Sequence, residues 1–235
     1  MTRKFSHVAN FTGYMQVVFD LITVKKEKQK ILDIPAGNGL LAEKLRSIGH
    51  DVVAADINRE KPDFVYADMS ENLPFANNTF DTVTCLEGLE HLIQPSSLVS
   101  ELCRVCKQGG RIIISLPNIQ NMYSRFQFMC TGTFYQFPPI LPSPQVKQEK
   151  IDLGHISSLS YTQLRYLFQY FGARVIHVSG DKYKRKALLP FLLPFISIGY
   201  LWSKTTKNEG SMKEAFFFKK ELLFSRSLII VFEKE

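Results

Sequence analysis

Cysteine is scarce in this 235-residue chain, and its spacing forms neither a disulfide framework nor a zinc site. The four residues, Cys85, Cys103, Cys106 and Cys130, lie in or near apolar stretches, which fits a reducing compartment. The lone pair Cys103 and Cys106 reads as two half-buried thiols one helical turn apart. Long apolar runs are also missing: no stretch reaches the ~20 residues that a membrane-spanning helix requires. The N-terminus runs Met1-Thr2-Arg3-Lys4-Phe5-Ser6-His7-Val8-Ala9-Asn10 without the continuous apolar core of a signal peptide, so export is not expected. No internal repeat is visible. An acidic excess is lacking as well: 29 Lys and Arg against 22 Asp and Glu leave a formal +7, which favours a phosphate-bearing or anionic-membrane partner. With 45% hydrophobic residues the chain can build one sizeable core, and a single domain over residues 1–235 is expected.

What is present is an alternation of periods. Apolar residues at Tyr14, Val17, Val18, Leu21 and Ile22 predict an amphipathic helix over about Thr12 to Val24. Ile31-Leu32-Asp33-Ile34 reads as a short buried strand, broken by Pro35 and the glycines Gly37 and Gly39. Helical spacing resumes from Leu40 to Ile48 and stops at Gly49. Further strands are expected at Asp51 to Asp56, Phe64 to Asp68 and Phe80 to Leu86. A helix follows over Pro95 to Cys106, and then a strand over Gly110 to Leu116. Residues 118–150 are rich in Pro and aromatics and predict an acceptor-side loop or lid. Tyr161 to Phe171 is a helix with Ser160 as N-cap, and strands at Arg174 to Val178 and Ser227 to Phe232 bracket an insertion over 181–221. Alternation of this kind predicts an α/β fold with a mostly parallel sheet covered by helices on both faces.

The strand, glycine-loop, helix sequence is the opening of a nucleotide-binding unit. Gly37 and Gly39 let backbone approach a ligand where the loop enters a helix whose amides can meet its polar groups. Asp56 falls 23 residues after Asp33, at the next strand end, where a carboxylate can accept both ribose hydroxyls of an adenosine. Asp68 is placed for an adenine amino group, with Met69 against the ring. Either aspartate can also simply cap its own turn. A nicotinamide-linked dehydrogenase uses the same fold and acidic contact, and the loop alone leaves that alternative open; position 42 is Ala42 where a third glycine would stand.

Ile31-Leu32-Asp33-Ile34-Pro35-Ala36-Gly37-Asn38-Gly39 is similar to the first motif of class I methyltransferases. The likeness continues through Leu73 to Asp81, Glu90-His91-Leu92 and Glu101 to Gly110, covering about residues 30–180. The resemblance implies a doubly wound, seven-stranded sheet whose last strand is antiparallel, with S-adenosylmethionine as cofactor. It implies Asp33, Ala36, Gly37, Asn38, Gly39, Asp56, Ile57, Asp68, Met69 and Glu87 as cofactor-binding residues. Pro35 departs from the small residue usual at its position.

The acceptor is read from the turn after the fourth strand. Amino methyltransferases often carry Asn or Asp, then Pro-Pro and an aromatic there; this chain has Cys85-Leu86-Glu87-Gly88-Leu89-Glu90-His91, which disfavours nitrogen acceptors of that kind. Glu87, Glu90 and His91, with the later His155, are a set suited to a divalent ion. The arrangement is similar to the metal site of small-RNA 2′-O-methyltransferases and to ubiquinone-pathway O-methyltransferases. That likeness implies Glu87, Glu90, His91 and His155 as metal ligands. Without metal, His91 or His155 would serve as general base beside Glu90, and Glu90 and His91 can also merely hold the turn.

Residues 187–202, from Ala187 to Trp202, are apolar, interrupted by Pro190 and Pro194, and flanked by Lys182, Lys184, Arg185, Lys186, Lys204 and Lys207. The segment is too short and too Pro-broken to span a bilayer, and it suits a membrane interface or the cover of an acceptor pocket or dimer face. The expectation is an S-adenosylmethionine-dependent O-methyltransferase acting in the cytoplasm, with an anionic inner membrane face as a candidate partner, on a small or lipid-linked hydroxyl compound such as a glycan or quinone. A non-catalytic membrane-associated module that binds the same cofactor is the rival. An RNA acceptor fits the charge, but no basic and aromatic recognition module is visible.

Overall fold

The computed structural model describes residues 8, 10–58, 61–141, 154–183, 189–205 and 219–235. Lys184 to Leu188 and Lys207 of the insertion, and residues 142–150 of the acceptor-side segment, lie outside them. Helix α1 (Gly13–Thr23) buries Met15, Val18 and Ile22, three residues at helical spacing. Strand β1 (Lys30–Asp33) enters the glycine loop, and α2 (Leu40–Ser47) leaves it. Strands β2 (Asp51–Asp56), β3 (Val65–Tyr66) and β4 (Phe80–Leu86) follow. Helix α3 (Pro95–Val105) begins with Pro95, whose missing N–H and fixed φ suit a first turn.

All seven strands form one sheet in the order β3-β2-β1-β4-β5-β7-β6, with β5 at Cys106–Pro117, β6 at Ala173–Gly180 and β7 at Ser227–Lys234. Strands β1 to β5 pair in parallel, and β7 runs antiparallel to both β5 and β6. The expected seven-stranded sheet with an antiparallel last strand is therefore what forms. Helices α1 and α2 share one core with Ile31, Val52, Ala54, Ile113 and Val231. The alternate residues Leu32, Val83, Ile112, Ile114 and Phe232 build the other core with α3 and α5 (Tyr161–Tyr170), because successive strand side chains point to opposite faces. Ser160 and Gln163 complete a capping box at the start of α5, and Phe168 stacks on Phe232 with centroids 3.8 Å apart.

Three expectations need correction. Strand β3 has only two residues, not five, because at the sheet edge it pairs on one side alone and both side chains are exposed. Strand β5 starts at Cys106 rather than Gly110: Cys106 pairs with Phe80, and the segment through Gly109 and Gly110 is an irregularity within the strand. Residues 118–150 are not all loop, since α4 (Met122–Thr131) forms there. Asn121 caps it by accepting from Ser124 N, and Gly132, at φ 72°, stops it. The insertion contains α6 (Leu189–Thr205), with Pro194 inside it, and returns through α7 (Lys220–Phe224). Among the described residues no helix is long and apolar enough to cross a membrane.

Candidate active site

The strand order reverses at β1, whose two neighbours are β2 and β4, and ligands of open α/β sheets bind beyond the carboxyl ends of the strands at such a reversal. There Gly37 (φ 59°) and Gly39 (φ 77°) adopt left-handed backbone that an L side chain resists. A Cβ on Gly39 would also come within 3.1 Å of the Phe64 ring and Lys61 Nζ. The loop is tied to β2 by Ala36 N donating to Ala55 O (2.9 Å) and by Gly37 N donating to Asp56 Oδ2 (2.7 Å).

Each predicted cofactor residue can now be placed. Asp56 is buried, and its second oxygen, Oδ1, accepts from Asn58 N at 2.9 Å. Burial raises its pKa, opposed by these amide bonds. Asn58 also donates its side-chain amide to Gly37 O at 3.0 Å, so loop and strand end lock as one unit. Asp68 accepts from Ser70 N (2.9 Å) and Ser70 Oγ (2.6 Å), a local turn bond of the kind that any such aspartate can make. Ile57 and Met69 are half-buried beside these carboxylates in sequence, and Met69 packs on the core. Asn38 Nδ2 donates to Val8 O, which ties Val8 to the loop. Asp33 lies behind the loop, 2% exposed, where Thr84 Oγ1 donates to it at 2.8 Å.

Beyond β4 the chain turns sharply. Glu87 has φ 50°, the left-handed region that glycine favours, and its carboxylate Oε1 accepts from Ser115 Oγ at 2.8 Å. Burial pushes its pKa up. Gly88 follows, and a Cβ there would meet Pro35 Cδ at 2.7 Å, so this turn packs directly on the glycine loop. The short 3₁₀ helix Leu89–His91 then presents Glu90, which is fully buried, and His91. His155 comes from the far side of the acceptor segment, with its ring centroid 4.9 Å from that of His91. Ile156 N and Ser157 N both donate to Glu90 O (2.9 and 3.0 Å), which pins the two segments together.

Glu90, His91 and His155 offer ligand atoms within 4.8 Å of one another. Glu87 does not join that group, contrary to the four-ligand expectation. Its left-handed backbone instead directs it to Ser115 on β5. His155 Nδ1 lies 2.7 Å from the carbonyl of Gln136, itself at φ 70°. A carbonyl only accepts, so Nδ1 carries a proton, and in the neutral ring the lone pair is on Nε2.

Sequence reasoning missed several neighbours of this site. Tyr14 on α1 is one: burial, with the carboxylates of Glu87, Glu90 and Asp33, pushes its phenol up to about 12. Asp181 and Arg226, from the two roots of the insertion, both act on Glu87 electrostatically. Thr84, Ser115 and Gln136 supply the bonds described above. None of these has a local signal, because each reaches the site through the sheet or a crossover; Asn58, two residues after Asp56, is the one that turn chemistry could have found.

A methyltransferase-domain family model matches residues 9–178. The chain belongs to that family. It is 36% identical over 129 residues to a demethylmenaquinone methyltransferase of Paenarthrobacter aurescens, covering 48% of this chain and 50% of that protein. It is 32% identical over 162 residues to a ubiquinone biosynthesis O-methyltransferase of Photobacterium profundum, covering 58% of this chain and 69% of that one. The chain thus spans half the length of the first of these relatives. A methyltransferase from Archaeoglobus fulgidus that depends on S-adenosylmethionine shares the fold, with a TM-score of 0.59 at 19% identity over 94% of this chain and 93% of that one. The seven-stranded fold is the one that class I methyltransferases share, and with the family match the dehydrogenase alternative gives way. The left-handed glycines, the buried carboxylate on the Gly37 amide and the close backbone at Gly39 suit the nucleoside and amino-acid ends of S-adenosylmethionine.

Two runs of the sequence that carry the methyltransferase likeness belong to the scaffold. Arg104 donates to Leu73 O (3.0 Å) and Phe75 O (2.7 Å), while Glu101 accepts from Leu73 N (2.7 Å), so these side chains clamp the loop before β4. Cys103 and Cys106 are buried, and burial pushes both thiols to about 12, the state of inert packing groups.

Proposed function

We propose that this methyltransferase transfers its methyl group to a hydroxyl oxygen of a small or lipid-linked acceptor of quinone-like or glycan chemistry. One observation carries the reading: Glu90, His91 and His155 converge on a turn that packs against the cofactor loop. When bound, the cofactor supplies a methyl group on a positively charged sulfur. In the proposed arrangement Asp56 accepts from the ribose hydroxyls, and Asp68 with Met69 faces the adenine. Ala36, Gly37, Asn38, Gly39 and Ile57 line the ligand, and Asp33 and Glu87 support the loop and the turn from the strand ends.

His155 Nε2 accepts the acceptor's hydroxyl proton as its oxygen attacks the methyl carbon, and the O–CH₃ bond forms as the S–CH₃ bond breaks. The buried Glu90 carboxylate balances the charge that His155 gains, and His91 holds the ring edge-on. Names of relatives support the quinone-like class: one is named for demethylmenaquinone and the other for O-methylation in ubiquinone biosynthesis.

A second reading is favoured by the same three donors. Their chemistry and spacing suit a divalent cation, which would hold the acceptor oxygen and lower its pKa. Labelled cofactor with hydroquinone and glycan-lipid acceptors, in the presence and absence of chelator, tests both. Label is expected in base-stable ether linkage, and full activity in chelator, with no metal in the purified protein, removes the cation. Transfer to nitrogen or to RNA instead would sink the proposal.

The cofactor arm has its own test. Asp56→Ala removes a buried charged acceptor from two amides and from the ribose, so affinity for S-adenosylhomocysteine should fall about 100-fold, given ~1.5–3 kcal/mol per charged hydrogen bond. Calorimetric titration that finds wild-type affinity would remove Asp56 from the cofactor site. We further propose the cytoplasm as the setting, with an anionic inner membrane face as partner. The exposed apolar helix α6 and its basic flanks support this.

A further inference from the structure

Helix α6 presents apolar side chains where a folded chain does not ordinarily leave them. Leu193, Phe195, Ile198 and Leu201 are each between 49% and 68% exposed. At 100° per residue they cover an arc of about 200°, far wider than the one stripe a helix turns to a core. Seventeen residues give a helix of about 25 Å, short of the ~30 Å of a bilayer's hydrocarbon, so α6 is suited to lie along an interface rather than cross it.

Charge identifies the partner. Residues 181–221 hold nine Lys and Arg against four Asp and Glu, so this segment carries +5 of the chain's +7. A second copy of the chain would bring like charge against like charge, whereas an anionic phospholipid surface offers apolar depth and phosphate at the same place.

The insertion is also rooted at the active-site end of the sheet. Strand β6 ends beside the start of β7, where Gly180 pairs with Leu228, and Ser227 of β7 pairs with Pro117 at the end of β5. The two roots are stapled together by Arg226 N donating to Lys182 O (2.9 Å), Ser227 N donating to Asp181 Oδ1 (2.9 Å) and a bridge between Tyr183 and Ser225. Buried Asn118 donates its side-chain amide to Leu222 O (3.0 Å) and Ser225 O (3.1 Å), while its own carbonyl accepts from Asn121 Nδ2 (2.6 Å) at the start of α4. Asn118 therefore joins α7, the returning arm of the insertion, to the acceptor-side helix α4.

We propose that α6 is a docking surface for an anionic phospholipid bilayer, carried on an insertion whose roots lie at the acceptor side of the active site. This rests on the lipid-linked acceptor reading above. The test is co-sedimentation of the full chain with vesicles of phosphatidylcholine containing about 30 mol% phosphatidylglycerol, against phosphatidylcholine alone. Wild type should partition at least about tenfold more strongly onto the anionic vesicles, and Phe195→Asp with Ile198→Asp should lose about tenfold or more of that binding. Both changed side chains are exposed, and an unaltered melting-temperature rise with S-adenosylhomocysteine verifies the fold. Equal binding by the double variant, or by neutral vesicles, overturns the proposal. So does a wild-type dimer that the double variant dissolves without change in vesicle binding. Docking is measured without methyl transfer, so a chain that sediments but methylates no lipid-linked hydroxyl keeps the surface and loses only the substrate.

Discussion

His155→Ala is expected to lower kcat about a thousandfold while the dissociation constant for S-adenosylhomocysteine stays within about twofold of wild type, the separation that marks a group acting on the acceptor alone. The backbone around His155 does not depend on the ring. Ile156 N and Ser157 N hold Glu90 O, and Ser157 Oγ donates to Leu92 O at 2.6 Å, so the segment stays pinned when the imidazole is gone. What disappears is the nitrogen whose lone pair the Gln136 carbonyl has oriented, together with the edge contact to His91. A kcat within about threefold of wild type, with cofactor affinity intact, would remove His155 from the chemistry. Chelator separates base from cation at the same residue, since a metal ligand and a base both lose activity on truncation but only the former makes wild type sensitive to chelation.

The parts of this site that were legible in the sequence are those whose cause is local. Phe80 to Leu86 is a strand because its apolar run is bounded by a turn on one side and Glu87-Gly88 on the other, and the structure reproduces those bounds. Gly37 and Gly39 announce left-handed backbone, and Ser160 with Gln163 announces a helix start; both act within four residues. Helix α4 had the same kind of local signal in Asn121 and Gly132, but the prolines and aromatics downstream dominated the composition of residues 118–150 and hid ten helical residues.

Contacts made by the third dimension were not legible. Glu87, Glu90, His91 and His155 share one sequence pattern, yet only three of them converge, because a single positive φ turns Glu87 to Ser115, 28 residues away on β5. The insertion read as an appendage near the end of the chain. Antiparallel pairing of β7 between β5 and β6 brings its roots, Asp181 and Arg226, back to the field of Glu87. Tyr14 is a similar case: its helical spacing gave it a core role, and the fold buries its phenol within the field of Glu87, Glu90 and Asp33.

Asp33→Asn should make the protein more stable at pH 8 by several kcal/mol and confer little or no gain near pH 4. Burial, reinforced by the neighbouring carboxylate of Asp56 and opposed by the Thr84 hydroxyl, raises the Asp33 pKa from 3.8 to about 7. The folded state then binds the proton more tightly than the unfolded chain does. Below pH 3.8 both states are protonated and burial of the carboxyl carries no charge penalty. Between 3.8 and 7 the unfolded chain ionises first, stability falls with rising pH, and above 7 the full penalty of roughly 4 kcal/mol applies. Asparagine keeps an oxygen for Thr84 Oγ1, which donates at 2.8 Å, and has no proton to lose. Urea unfolding of both proteins at pH 4.5, 6 and 8 measures the difference, in which all uncoupled titrations cancel; a gap that does not widen with pH would show that Asp33 titrates normally. Because Asp33 lies behind the loop, its substitution should leave cofactor affinity near wild type, whereas Asp56→Ala abolishes most of it. That contrast separates the carboxylate that supports the loop from the one that faces the ligand.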